Sequence, residues 1–412
     1  MTRPASSSVS LRVAAQTVAA RLTQGGYLAY FAGGCVRDRL LGIAPEDIDI
    51  ATDARPEDVR RLFPAARGVG EAFGVMLVRQ GGHMFEVATF RSDGDYVDGR
   101  RPANVQFASA REDAMRRDFT INGLFEVPST GEVVDFVGGQ ADLDARVLRA
   151  IGEPSARFAE DHLRLLRAVR FAARFGLAID PATGRAMHDH AKRLALIARE
   201  RIGMEVRRML EEPARVRAVA LLEEFALDAI VLGEHSRRST GRRLGHAPDR
   251  LPFVWALAAW GLDREGASPL SSVPAFTCDA YRDALVLSNR EEADLRDALE
   301  VREALLSWVG LPTHTRRRLA ARPGFALARW LVAAEDPQRA AMIDAWLGSL
   351  GTAPVAPPRW VNGDDLLALG LTPGPAFRDV LDAIYDAQLD GIVESREDAL
   401  SLARQMVRSR KA

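Results

Sequence analysis

The stretch Phe31-Ala-Gly-Gly-Cys-Val-Arg-Asp-Arg-Leu-Leu-Gly-Ile-Ala-Pro-Glu-Asp-Ile-Asp-Ile-Ala-Thr52 decides how this chain is read. From Glu46 to Ala51 charged and apolar residues alternate. A strand of that period turns Asp47 and Asp49 to one face and Ile48 and Ile50 to the other. Two carboxylates held side by side repel one another unless a divalent cation neutralises them, and Mg²⁺ is the ion that takes few carboxylates together with substrate phosphates. The plainer reading of an Asp-x-Asp is an exposed polar strand face. Upstream, Gly33 and Gly34 follow the apolar run Tyr27 to Ala32 and precede a helix-like segment from Cys35 to Leu41, so they sit where a strand turns into a helix. Such a turn lets backbone N–H groups approach a phosphate, the helix N-terminus favours the anion, and Arg37 adds charge. A phosphate site and a metal site about ten residues apart imply a nucleoside triphosphate and a metal handled together.

At 412 residues the chain is long enough for more than one domain. Its 47% apolar and 27% charged residues are ordinary for a globular protein. No apolar run reaches bilayer length, and the longest, Leu251 to Leu262, reads as a core helix. The opening Met1–Ser8 carries no apolar signal segment, so a frayed tail and a cytoplasmic protein are expected, with no membrane partner. Cys35 and Cys278 alone exclude a disulfide framework or a cysteine zinc site. A net charge of −1 argues against a generally sticky nucleic-acid binder, yet 55 basic residues permit local patches.

Past the opening unit, Arg55 to Phe63 has proline and acids in its first turn and should be a short helix. Gly68-Val-Gly-Glu-Ala-Phe-Gly74 has the wrong spacing for a dinucleotide fingerprint and reads as a glycine-rich turn into a strand from Val75 to Arg79. Gly81-Gly82 joins that strand to His83–Phe90 as a hairpin. Glu86 is the acid of the second arm: a third metal carboxylate if its strand neighbours that of Asp47, a solvent-facing glutamate otherwise. Ser92 to Pro102 should be a mobile loop. Arg111 to Leu124 reads as a helix running into a strand, with Arg117 at the helix end, where its guanidinium could reach a triphosphate, although an Arg-Arg-Asp taken alone is more often a capped surface helix. Leu148 to Gly152 looks like a last strand, and from Glu153 the character turns helical.

Ser155 to Phe175 reads as one long amphipathic helix burying Leu163, Leu166, Val169 and Phe171, with Asp161, Arg164, Arg167 and Arg170 on an adjoining face. Steps of three drift, so Asp161 and Arg170 should lie about half a turn apart. Asp161 accepts and Arg164 donates, which matches an edge offering an amino group beside a ring-nitrogen acceptor. Cytosine and adenine present that edge, and uracil and guanine its reverse. Sites of this kind discriminate by about 10⁴ or more, because a mismatch strands buried donors and acceptors. The alternative is an i,i+3 salt bridge on a solvated helix. His188-Asp189 raises a metal-dependent phosphohydrolase, which needs further ligands that the seven scattered histidines do not offer.

Gly-Gly-Cys-Val-Arg-Asp at 33–38, Glu-Asp-Ile-Asp-Ile-Ala-Thr at 46–52, Arg-Arg-Asp-Phe-Thr-Ile-Asn-Gly at 116–123, Glu-Asp-x-x-Arg at 160–164 with Arg167 and Arg170, and Arg199-Glu-Arg-Ile-Gly-Met-Glu205 occur in order. Together they resemble the motifs of the class II CCA tRNA nucleotidyltransferase and poly(A) polymerase family, with Gly123 where alanine is usual. The segment Asn362 to Pro375 resembles the family's tRNA-gripping tail, departing at Phe377-Arg378.

The resemblance implies an α+β fold: a polymerase-beta-like nucleotidyltransferase head with a small sheet (1–152), then an all-α neck (153–212), body (213–352) and tail (353–412). It implies Mg²⁺ on Asp47 and Asp49, with Glu86 as a further candidate. Gly34, Arg37 and Arg117 would cradle the triphosphate, Asp161, Arg164, Arg167 and Arg170 would meet the nucleotide, and Glu205 would brace the neck. The expected reaction adds CCA to the 3′ end of tRNA from CTP and ATP without a template. Poly(A) synthesis, A-only or CC-only addition share these motifs, and a silent RNA-binding protein is the reading from another class. The full-length loop 92–102 and the lack of a basic extension beyond Arg410-Lys-Ala412 favour CCA addition.

Overall fold

Alternation at Glu46–Ala51 has the expected consequence in the computed structural model, which describes residues 10–70, 74–93, 105–235, 239, 241–264 and 275–411. Ile48 and Ile50 are buried, whereas Asp47 and Asp49 are exposed on the opposite side. The regular strand is shorter than the pattern, β2 running Asp49–Thr52, and it pairs antiparallel with β1 (Ala29–Ala32). In that register Ala32 stands opposite Asp49. The glycine turn after Ala32 and the carboxylates therefore come to the same end of the sheet.

The chain divides into two compact units, residues 1–209 with 220–236, and residues 210–219 with 237–412. The first holds a seven-stranded sheet. To β1 and β2 it adds β3 (Arg67–Gly70), β4 (Val75–Gln80), β5 (His83–Thr89), β8 (Leu124–Glu126) and β9 (Val133–Asp135), in the order β3-β4-β5-β2-β1-β8-β9. Only β2 and β5 run parallel, so this is no dinucleotide-binding sheet. Gly68 and Gly70 lie on edge strand β3, paired with β4, rather than in a simple turn. The Gly81-Gly82 hairpin forms as read, both glycines having positive φ. Helix α1 (Leu11–Gln24), for which the sequence analysis had no expectation, buries Ala14, Ala15, Val18, Ala19 and Leu22, and its Arg12 lies over the Phe31 ring. Helix α2 (Gly34–Leu40) opens directly from the glycine turn. Pro56–Leu62 forms the expected short helix, α3.

Four expectations need correction. Ser92 and Asp93 belong to strand β6 (Arg91–Asp93), paired with β7 (Val105–Phe107), while 94–104 lie outside the described residues, as do the expected tail residues 1–8. After α4 (Ala110–Met115) the chain does not pass straight into a strand: Thr120–Asn122 make a 3₁₀ turn before β8. Past the short helix α5 (Gly139–Asp144), the expected strand 148–152 is the two-residue β10 (Val147–Leu148). It pairs in parallel with β11 (Ala178–Ile179), beyond the point where strand character was expected to stop. The long helix at 155–175 is two helices, α6 (Pro154–Glu160) and α7 (Arg164–Arg174), broken at Asp161, whose backbone is extended. No proline or glycine marks that break. The inward set Leu163, Leu166, Val169 and Phe171 is nonetheless buried.

At Gly123 a Cβ would stand 2.7 Å from Cγ2 of Val137, so alanine there would crowd that side chain. Helix α8 (Pro181–His190) carries His188 against Phe225. Helix α9 (Arg199–Glu211) carries Arg201 and Glu205. The second unit is helical. Its helix Phe253–Arg264 is buried at nearly every position, as the apolar run predicts. A network of buried charges, Arg243 with Asp263 and Glu335, and Arg302 with Glu335, ties its helices together. Among the described residues no helix is long and apolar enough to cross a membrane.

Candidate active site

Everything at the site begins with Gly33. Its φ of 70° and ψ of −119° lie in a region only glycine enters readily. A Cβ there would stand 2.6 Å from Nη1 of Arg117. The turn is pinned by the Gly33 N–H donating to the Leu124 carbonyl at 2.9 Å. Gly33→Ala should therefore cost ~1–2 kcal/mol in backbone strain and displace the arginine. Affinity for inorganic triphosphate is expected to fall about tenfold with the fold retained, as checked by calorimetry beside a melting curve.

Around this turn lies a cleft of about 500 Å³ lined by Gly33, Gly34, Arg37, Asp47, Asp49, Arg117, Asp161, Arg164, Arg167 and Arg170, all from the first unit. The wall also contains Arg91, Arg116, Asp118, Asn122 and Phe171, which the sequence analysis did not assign. Seven arginines face four aspartates there, a balance that suits a polyanion. Asp161 and Arg170, placed half a turn apart on an unbroken helix, share this cleft because the chain breaks at Asp161.

Five of these arginines are held by side chains around the cleft. Arg37 donates from Nη1 to Oδ1 of Asn122 at 2.5 Å and from Nε to Asp38 at 2.8 Å. Arg116 and Arg117 share the buried carboxylate of Asp113, at 2.6 and 3.0 Å. Burial works to raise Asp113, but Arg117 and Arg116 hold it below its ordinary value. Arg167 donates to Asp118 at 2.8 Å, and Asp118 also accepts from Asn122 and from the Phe119 N–H. Burial would raise Asp118, yet the Arg167 charge and these hydrogen bonds bring it down to about 2. Arg170 donates to Glu205 at 2.7 Å, and Glu205, itself buried, also accepts from Arg208.

Asp161 and Arg164 do not form the i,i+3 salt bridge with each other. Asp161 accepts the Leu163 N–H at 2.9 Å and Nη2 of Arg201 at 2.8 Å. Arg164 donates from Nη1 to the Arg157 carbonyl at 2.7 Å and to Glu160. Among the described residues its hydrogen bonds all run through Nη1, so the Nε and Nη2 edge faces no protein acceptor.

The carboxylate corner is electrostatically incomplete. Asp49 is open to solvent along one edge but hemmed in by protein. Burial, then the charges of Asp47 and Glu86, push it up to about 6 against the opposing pull of Arg117. Carboxylates that repel one another beside a phosphate-sized turn fit a hard dication completing its shell with phosphate and water oxygens. Glu86 is exposed on β5, the strand next to β2, and contributes to this repulsion. Among the described residues no group of three or more metal-ligating side chains is gathered. His188 packs on the Phe225 ring, with centroids 4.8 Å apart.

A small sheet with adjacent carboxylates at its end, a glycine turn opening a helix and a wall of buttressed arginines define a nucleotidyltransferase. Residues 29–149 match the poly A polymerase head domain, and residues 176–237 match a probable RNA- and SrmB-binding site of polymerase A. The CCA-adding enzyme of Geobacillus stearothermophilus is 34% identical over 92% of this chain and 93% of its own length. That of Lactiplantibacillus plantarum is 33% identical over 97% of both. The crystal structure of the Bacillus stearothermophilus CCA-adding enzyme in complex with CTP superposes with a TM-score of 0.75 and 28% identity, over 100% of this chain and 99% of that one. The chain belongs to the class II CCA tRNA nucleotidyltransferase and poly(A) polymerase family, whose members use a divalent metal.

Proposed function

We propose that this protein adds the CCA sequence to the 3′ end of tRNA, using CTP and ATP without a template. The observation that carries the reading is the convergence, in one cleft, of Asp47 and Asp49 with the arginine wall and with the Asp161–Arg164 pair. The names of its full-length relatives and the CTP complex of one of them support it.

In this reading Gly33, Gly34, Arg37 and Arg117 receive the triphosphate, with backbone N–H groups and guanidinium edges meeting its oxygens. Asp161 accepts from the base amino group and Arg164 donates to its ring nitrogen, an edge that cytosine and adenine share. Arg167 and Arg170 supply charge around the nucleotide, and Glu205 fixes Arg170. The primer hydroxyl attacks the α-phosphate in line with departing pyrophosphate, whose charge the arginines stabilise. Asp47 and Asp49 would hold Mg²⁺, which when bound supplies Lewis-acid activation of the hydroxyl and charge neutralisation. We assign residues 1–152 to the head, 153–212 to the neck, 213–352 to the body and 353–412 to the tail, the last gripping tRNA, and place the protein in the cytoplasm.

Poly(A) synthesis uses the same base edge, so the product distinguishes the two. With ATP alone and an RNA that is not tRNA, this reading expects no ladder of adenylates. A ladder, with no use of CTP on tRNA, would make the protein a poly(A) polymerase. Arrest after two cytidines would make it a CC-adding enzyme.

A further inference from the structure

Phe171 is buried in the wall of the cleft, and three guanidinium groups gather on its ring. The central carbons of Arg170, Arg167 and Arg37 lie 4.4, 5.1 and 5.2 Å from its centroid. Behind it, Phe119 meets the ring edge-on and Phe175 lies stacked, at centroid distances of 6.0 and 6.1 Å. Three like charges so close repel, and the carboxylates Asp38, Asp118 and Glu205 offset this only by occupying N–H donors of Arg37, Arg167 and Arg170.

A ring works differently. Its π-face attracts a guanidinium through the quadrupole while taking none of the in-plane N–H groups. A cation stacked on a ring keeps its donors for a phosphate or a base. An aliphatic residue of similar size would fill the space but provide no such attraction.

We propose that Phe171 is a positioning residue for nucleotide binding: its ring gathers Arg167 and Arg170 against their mutual repulsion and that of Arg37, which lies over both the Phe171 and Phe175 rings, and takes none of the N–H groups of Arg167 and Arg170 that remain for the incoming triphosphate. The inference rests on the reading of the cleft as the nucleotide site, and its test is separable from that reading. Site-specific replacement of Phe171 by 4-fluoro-, 3,5-difluoro- and 3,4,5-trifluorophenylalanine drains the face potential stepwise with little change in volume. The full chain so altered should keep its melting temperature and kcat within about twofold. KM for CTP and ATP should climb with each fluorine, reaching about tenfold, the equivalent of ~1.4 kcal/mol of guanidinium–ring attraction. Phe171→Leu should fall beyond the end of that series, and Phe171→Tyr should restore most of the affinity.

Calorimetric binding of inorganic triphosphate to the same variants gives a readout independent of incorporation. A graded loss of triphosphate affinity in a protein that incorporates no nucleotide would support the positioning role and sink the activity. A flat series in both measurements would overturn the role of Phe171, whatever the activity.

Discussion

Asp47→Ala or Asp49→Ala is expected to lower nucleotide incorporation by about 10³-fold or more, because several kcal/mol of charge stabilisation leave with the metal. tRNA binding should persist, since neither carboxylate is assigned to the RNA grip. The loss can be separated from unfolding by the sign of the stability change. Burial, Asp47 and Glu86 raise Asp49 to about 6, so its ionised form disfavours the folded metal-free chain. A group whose folded pKa is raised loses its stabilising contribution as pH climbs through that value. Above about pH 6, Asp49→Asn should therefore melt no lower than wild type in the absence of metal, and below the ordinary carboxylate range the difference should vanish. Appreciable metal-dependent incorporation by either alanine variant would remove Asp47 and Asp49 from the chemistry.

Asp161→Ala is expected to relax nucleotide choice, letting UTP and GTP in and cutting discrimination by about 10²-fold or more, because the mismatch penalty at a buried polar edge disappears. Arg201→Ala should move in the same direction by a smaller amount, since Arg201 holds the carboxylate of Asp161 at 2.8 Å without itself lining the cleft. Arg164→Ala should weaken CTP and ATP together. A four-nucleotide competition reads all three variants, and unchanged preference in Asp161→Ala would reduce that residue to a structural cap of the chain break.

How far these residues could be read from sequence depended on the range of the interactions that place them. The alternation around Asp47 and Asp49 and the glycines at 33 and 34 are local signals, and the structure places them as read, brought together by the Ala32–Asp49 register. The break at Asp161 was invisible because Ala-Glu-Asp-His-Leu contains no helix breaker. A contact forty residues away, from Arg201, and the Leu163 N–H hold the extended backbone there. Asp118 and Asn122 sat inside a recognised motif, but their role as buttresses of Arg167 and Arg37 depends on packing between α7, α2 and the 3₁₀ turn. Phe171 matched the core periodicity of an amphipathic helix, and periodicity does not say that a buried ring also faces a cluster of guanidinium groups. Helix α1 is legible locally, through a capping Ser10 and apolar residues at helical spacing. The neighbouring strands of Glu86 and Asp49 were unreadable for a different reason: β2 and β5 pair in parallel across a crossover that sequence order does not specify.

Template-free selection of two bases by one protein cleft is the centre of the account, and sequencing the product tests it most directly. A tRNA lacking its three terminal nucleotides is incubated with the protein, a divalent metal and all four nucleoside triphosphates, and each extended 3′ end is read. The account predicts C, C and A in that order, followed by arrest, with no uridine or guanosine. Indiscriminate addition, or a run of one nucleotide past the third position, would contradict it.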